Sequence, residues 1–408
     1  MSTPPAVNLE NGSADEAESS PTVLARRIRE AILADGPMTF RDFMDRALYT
    51  PGEGYYTRSR TAWSVDADFV TAPQVDASLG VAVVHVVQEC DVTLGSPVSF
   101  DLVEMGGGDG ALLRDLCDAL ERRAPGLYAR TRVWSIEPGD ASRAQQQERL
   151  AAHAPRVQWV ASLDELPPGS LHGLIVSNEL LDAFPVHRVV WRDGLRELFV
   201  DVDVDVDIDK DVEAFVEREL APSTPELAGY LAANDITLQE GQVVEVNLQV
   251  ASWVEGVARS LARGLVLTVD YGAETAALYD AARVHGSLVC QHRYQLNAAP
   301  FERIGEQDIT AHVDFGNLRR CGAANGLDDG GIASLAVFLV GFGAADDLAP
   351  AEHGGAAGAA GGVAGGAADI SRHLGLRHLL FSEIGTAHRV MLQTKGVAPI
   401  SFGLSRLG

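Results

Sequence analysis

Glycines spaced with acids carry the chemistry open to this chain. Glu104-x-Gly106-x-Gly108-x-Gly110 follows a short apolar run, Ser99 to Met105, and precedes Leu112, Leu113, Leu116 and Leu120 at helical spacing. That is a strand, a glycine turn and an amphipathic helix. Without Cβ atoms the backbone can turn sharply and lie close against a ligand, and the helix that follows offers free N–H groups. Gly106-x-Gly108-x-x-Ala111 also satisfies the dinucleotide fingerprint. The turn by itself therefore leaves a nucleotide-dependent oxidoreductase open. Glu137, Asn178 and Glu179 are the other polar side chains whose placement at strand ends suits binding or catalysis.

The elements that must hold these residues alternate. Strands are predicted at Arg132–Ile136, 157–160, Leu171–Ser177, 243–246 and Leu265–Val269, with helices at Ser142–Ala152 and Leu248–Leu261 between them. Alternation of this kind implies an α/β fold, a mostly parallel sheet with helices on both faces. Ligands of such sheets bind beyond the carboxyl ends of the strands. Glu104, Glu137 and Asn178–Glu179 all fall at those ends.

Upstream, Thr22–Leu33 and Thr39–Leu48 read as amphipathic helices, and Ser78–Cys90 as a third helix before the first core strand. Five segments are expected: an acidic disordered tail (1–21), an N-terminal helical or lid segment packed on the core (22–97), the core with insertions (98–340), a Gly/Ala-rich loop (341–369) and a C-terminal segment that completes the sheet through Arg389–Thr394 (370–408). Asp201–Asp209 (DVDVDVDID) alternates strictly and reads as an edge strand with one acidic face. An EF-hand reading fails for want of a glycine at the sixth position. Gln307–Phe315 suits a strand or a helix start.

Composition narrows the class. The net charge is -25, from 57 acids against 32 bases, and 46% of residues are hydrophobic. A basic face for nucleic acid is missing from the pattern, so no nucleic-acid partner is expected. No uninterrupted apolar run reaches eighteen residues, so no membrane span is expected either. The acidic opening, free of an apolar core, points to a cytoplasmic protein. Cys90, Cys117, Cys290 and Cys321 are scattered, which supports neither a metal site nor a disulfide framework.

Six segments in order resemble the MidA-like S-adenosylmethionine-dependent methyltransferases, relatives of the mitochondrial complex I assembly factor that methylates an arginine. They are Met38–Thr57, Asp68–Val75, EMGGGDGAL at Glu104–Leu112, SNELLDAFPVHRV at Ser177–Val189, LTVDYG at Leu267–Gly272 and Gln307–Leu318. The Asn-Glu-x-x-Asp-Ala-x-Pro-Val-His string is the specific one. Gln74 departs from the glutamate usual in the family.

The resemblance implies a Rossmann-like class I methyltransferase sheet with S-adenosyl-L-methionine as cofactor and an arginine of a protein substrate as acceptor. Glu104, Gly106, Gly108 and Gly110 would hold the methionine end, Glu137 the ribose hydroxyls, and Asn178 would line the same site. Glu179 and Asp182 are candidates to clamp a guanidinium by its edge; the alternative is that they cap the next helix or tie loops. Asp270 and Tyr271 could line the acceptor pocket or serve a turn. Tyr55 and Tyr56 are read as packing in preference to a lid, and His312 as structural. A scaffold with a vestigial cofactor pocket is the remaining alternative. The target protein and the oligomeric state are not written in the sequence.

Overall fold

A computed structural model describes residues 21–58, 71–203, 215–343 and 374–402. The expected acidic tail, Asp68–Val70, most of DVDVDVDID and nearly all of the Gly/Ala-rich loop lie outside the described residues.

Seven strands, numbered along the chain, build the large sheet: β1 (Phe100–Met105), β2 (Thr131–Ile136), β3 (Val157–Val160), β4 (Leu171–Asn178), β5 (Leu261–Ala273), β6 (Asp328–Ser334) and β7 (His388–Lys395). Their spatial order is β6-β7-β5-β4-β1-β2-β3. From β3 through β5 all neighbours are parallel, whereas β7 runs antiparallel to both β5 and β6. Val313–Asp314 adds a short pairing at the end of β5. The winding reverses between β1 and β4, so a crevice opens where those two strands end.

Burial on both faces explains why the central strands are such unbroken apolar runs. On one face Leu102, Val176 and Leu267 pack with α4 (Ser78–Thr93) and with the Ala111–Arg123 helix. On the other, Val103, Ile175 and Val266 meet the helices Gln249–Ser260 and Phe315–Ala324. Leu113, Leu116 and Leu120 are fully buried, each contributing roughly 1.5–3 kcal/mol of burial. That seats the Ala111–Arg123 helix, and with it the turn that precedes it.

Two further sheets are inserted between core elements. One pairs Met38–Thr39, His187–Trp191, Leu195–Val202, Phe215–Leu220 and Val243–Val246; the other pairs Leu288–His292, Gln295–Asn297 and Asp308–Ala311. The helices α1 (Val23–Asp35) and α2 (Phe40–Tyr49) pack against them through Leu24, Ile28, Phe43 and Met44, opposite Val200, Phe215 and Ile309. Thr22 and Thr39 cap these helices by accepting from Ala25 N and Asp42 N. The 22–97 segment thus divides: α1 and α2 serve the inserted sheets, while the one-turn helix α3 (Ala72–Val75) and α4 lie on the core.

Several local expectations change in the fold. Asp201 and Val202 end the strand Leu195–Val202 and pair with Val216 and Phe215, and Asp201 is buried against Arg218 at 2.6 Å; the alternation beyond residue 203 lies outside the described residues. Arg389–Thr394 does enter the sheet, yet β7 is not its outer strand. That position falls to β6, hidden in the sequence by Asp-Asp-Gly-Gly, residues poor in strand propensity. Gln307–Phe315 is both things expected of it, two short strands and then a helix capped by Asp314, which accepts from Asn317 N. No described helix is long and apolar enough to cross a membrane.

Candidate functional site

The crevice between the ends of β1 and β4 is lined by Thr71, Pro73, Glu104, Gly106–Asp109 and Asn178, and measures about 310 Å³ with its open mouth. Its floor is the glycine turn. Gly106, Gly108 and Gly110 have φ of 65°, 52° and 82°, the left-handed region that side chains disfavour. Gly107 is required for a different reason, because a Cβ there would run into the Glu104 carboxylate. The turn is braced from behind. Gln146, fully buried, donates from Nε2 to the Gly108 carbonyl at 3.0 Å and accepts from Ser135 Oγ at 2.6 Å and Trp159 Nε1 at 3.0 Å. Asp109 accepts from Ala111 N at 3.0 Å and pairs with Arg149 at 3.0 Å.

Glu104 ends β1 almost wholly buried. Its Oε2 has no hydrogen-bond partner, and neither does the buried Oδ1 of Asn178 across the crevice. Burial pushes the Glu104 carboxyl up to about 8, with the charges of Asp109, Glu137 and Asp115 adding to the rise. Glu137 ends β2, accepts from Gly139 N at 2.9 Å, and is pushed by burial up to about 6. Gln74 reaches the turn from α3: its Nε2 donates to Asp109 Oδ2 at 3.3 Å and its Oε1 accepts from Thr71 N at 3.1 Å. The family departure at this position therefore still links α3 to the turn, with an uncharged amide.

A second group of acids lies beyond Asn178, where β4 ends in a loop and not in a helix. The helix-capping alternative for Glu179 and Asp182 is thereby corrected: no helix follows for them to cap. The loop is pinned on several sides. Asp270, at the end region of β5 and fully buried, accepts from Leu180 N at 3.2 Å and Leu181 N at 2.9 Å. Tyr49 donates to the Ala183 carbonyl at 2.8 Å, and Ala311 N donates to the Asp182 carbonyl at 2.9 Å. Glu179 sits at φ 49°, an uncommon conformation for a residue with a side chain. Its Oε1 meets Asn178 Nδ2 and His388 Nε2, each at 3.2 Å.

Burial raises Asp182 well above the usual carboxylate range, and the charges of Asp270, Glu179 and Asp308 raise it further. Burial likewise pushes Asp270 up to about 7 against its backbone donors, with Glu179 adding to the rise and His388 opposing it. Asp308 accepts from Tyr56 Oη at 2.8 Å, and Tyr56 stacks on Tyr49 with centroids 5.6 Å apart. Among the described residues, no lysine or arginine pairs with Glu179, Asp182 or Asp270.

The structure therefore brings Glu104, Gly106, Gly108 and Asn178 around one crevice, with Glu137 at the adjacent strand end; Gly110 does not line it but closes the turn against Gln146. It gathers Glu179, Asp182 and Asp270 beside them. Tyr55 is packing, buried edge-on to Tyr56 at 5.1 Å. Tyr56 joins the acid group through Asp308. Tyr271 lies against His388 with ring centroids 3.7 Å apart and planes tilted by 42°. His312 is half-buried and held through its backbone N–H to Ser287 Oγ at 3.2 Å, with burial pushing its ring down to about 4. Sequence reasoning missed Gln146, Asp308, Tyr49 and His388. Asp308 and Tyr49 stand within the matched segments Gln307–Leu318 and Met38–Thr57 and could have been found there; Gln146 and His388 carry no local signal.

The family model described as "Putative S-adenosyl-L-methionine-dependent methyltransferase" matches residues 78–333, more than half of the chain. The chain belongs to this family. It is an S-adenosylmethionine-dependent methyltransferase with the class I sheet. Among curated proteins it is similar to the mitochondrial protein arginine methyltransferase NDUFAF7 homolog of Drosophila melanogaster, at 27% identity over 77% of this chain and 73% of that protein. The Homo sapiens protein arginine methyltransferase NDUFAF7 is 27% identical over 79% of this chain and 72% of its own length. Among solved structures, a Burkholderia thailandensis protein bound to S-adenosyl-homocysteine superposes with a TM-score of 0.76 at 29% identity, covering 94% of both chains.

The residues of this methyltransferase fit its cofactor. Two orphaned buried acceptors, Glu104 Oε2 and Asn178 Oδ1, face a crevice where an ammonium would satisfy them, and the glycine turn leaves room for a ligand against the backbone. The oxidoreductase alternative does not hold. Its six-stranded order is wholly parallel, whereas antiparallel β7 stands between β5 and β6 here.

Proposed function

We propose that this methyltransferase modifies an arginine of a protein substrate. The observation that carries the reading is the buried acid group beyond Asn178: Glu179, Asp182 and Asp270 converge there, with His388 Nε2 3.2 Å from Glu179 Oε1. Such a group repels an anionic acceptor and leaves a neutral one with nothing to offset the charge. A cationic acceptor suits it, and the planar guanidinium can take carboxylates along its edge. The names of the curated relatives, protein arginine methyltransferases, support the same class.

When bound, S-adenosylmethionine supplies a sulfonium methyl open to direct displacement. The chain's own part is alignment and charge. Glu104, once ionised, would balance the cofactor's ammonium while the glycine turn admits its methionine end, and Glu137 would accept from ribose hydroxyls. Glu179 and Asp182 would hold the guanidinium plane and draw its charge toward one edge, leaving the opposite nitrogen richer in electrons. A guanidinium gains a methyl and keeps its single positive charge only by losing a proton, and Asp182, ionised beside the bound guanidinium, is suited to take it, because burial and the neighbouring acids raise its affinity for a proton. Cytoplasmic residence belongs to the same proposal and is tested by cell fractionation.

The test is methylation of a cell extract with isotopically labelled S-adenosylmethionine, followed by hydrolysis and mass spectrometry. Label in methylarginine, absent with Gly107→Ala enzyme, supports the reading. Label in lysine or in small molecules would replace it. Tight cofactor binding without any transfer would favour the scaffold alternative.

A further inference from the structure

His388 reaches the acceptor side from β7, 209 residues beyond Glu179. It is fully buried, and both ring nitrogens face oxygen: Nδ1 lies 2.9 Å from the Ile384 carbonyl and Nε2 3.2 Å from Glu179 Oε1. A carbonyl oxygen and a carboxylate are both acceptors, and a neutral imidazole carries a single N–H. With Glu179 ionised, as its acceptance from Asn178 Nδ2 at the same oxygen favours, the two contacts are satisfied together only when both nitrogens are protonated.

The surroundings agree. From β5, Asp270 lies close enough for a charge on His388 to lower its pKa, and the Tyr271 ring lies against the imidazole at a tilt of 42°. From the loop after β4 come Glu179 and, behind it, Asp182. On β7 itself Arg389 donates to the His388 carbonyl at 3.2 Å, so its charge is directed at the backbone. Acids thus dominate the side chains facing the ring.

We infer that His388 is a positioning residue: as an imidazolium anchored on the Ile384 carbonyl, it holds Glu179 ionised and in place at the acceptor side of the crevice. The pairing also explains how Glu179 keeps its left-handed backbone, since Asn178 Nδ2 and His388 Nε2 both fasten the same oxygen. The acceptor half of the site then depends on the C-terminal strand, whereas the cofactor half, built from β1, β2, α3 and the end of β4, has no direct contact with it. The catalytic consequence rests on the proposed function; the protonation state does not.

Two measurements separate these. In NMR of the whole protein labelled at its histidine ring nitrogens, His388→Gln assigns the signal. Both nitrogens are expected to carry protons at neutral pH, and Glu179→Gln should remove one of them. A neutral His388 in the wild type, or one indifferent to Glu179→Gln, overturns the inference whatever the acceptor is. In kinetics with an arginine-containing peptide, His388→Gln should lower kcat/KM for the peptide by about tenfold or more while the Kd for S-adenosyl-homocysteine moves by less than about twofold. Equal losses in both, or none in either, would reduce His388 to a core residue. A peptide that no form of the enzyme methylates would count against the arginine reading and leave the NMR result to decide the pairing.

Discussion

Gln146 Nε2 lies 3.0 Å from the carbonyl oxygen of Gly108, and this contact joins the helix Asp140–Arg149 to the floor of the cofactor crevice. The same amide accepts from Ser135 and Trp159, so three partners depend on one buried side chain.

Gln146→Leu would strand those three groups in an apolar setting. Each stranded buried group costs roughly 1–3 kcal/mol, partly recovered by relaxation. The expected outcome is a fold weakened by about 2 kcal/mol or more and cofactor affinity lowered by about tenfold. Denaturant titration and calorimetry with S-adenosyl-homocysteine check the two effects separately.

Gly107→Ala tests close approach without backbone strain, because Gly107 is not in the left-handed region. Its new methyl would be driven against the Glu104 carboxylate. Calorimetry should show cofactor binding weakened by about a hundredfold, near 3 kcal/mol, with a much smaller change in Tm. A variant that binds normally would remove Glu104 from the cofactor site.

Glu104 carries a pH signature. Its carboxyl, about 4.5 in the unfolded chain and about 8 when folded, keeps a proton in the fold that the unfolded chain has lost. Stability from this group is complete below about 4.5 and is lost as pH rises through about 8. Glu137 and Asp270, also raised, act with the same sign over lower windows, so the contribution of Glu104 is the wild-type curve minus that of Glu104→Gln. Binding runs the other way. An ammonium prefers the carboxylate, so affinity for S-adenosyl-homocysteine should climb with pH up to about 8 and then level off. Glu104→Gln should flatten that climb.

Asp182→Asn removes the proposed proton acceptor and one clamp arm. Loss of a general base typically costs 10²–10⁴ in rate. Methylation of an arginine peptide should fall by about a hundredfold or more in kcat, while calorimetric cofactor affinity stays nearly constant. Unchanged kcat would shift the proton to another group.

Much of this enzyme is local information. The run Phe100–Met105, the glycines and the leucine stripe after them form a strand, turn and helix from residues within 25 positions of one another, and periodicity alone locates them. The same holds for α1, α2 and the parallel strands, whose apolar faces repeat at helical or strand spacing. Glu104, Glu137 and Asn178 were legible because strand ends converge in any parallel sheet. β6 was not, since Asp-Asp-Gly-Gly takes its strand form from pairing with β7 and from no preference of its own.

What the sequence determined by itself was the class I sheet, the glycine turn and the acids at the strand ends. Only the tertiary structure decided which of those acids stay partnerless, which backbone amides Asp270 takes, that Gln146 braces the glycine turn, and that Asp308 and His388 join the acid group. The physical reason is distance along the chain. Hydrogen bonds and charge interactions act over a few ångströms in space, and Glu179 meets His388 across a separation of 209 positions in the chain. Composition and spacing carry no trace of such a contact; packing of β7 beside β5 creates it.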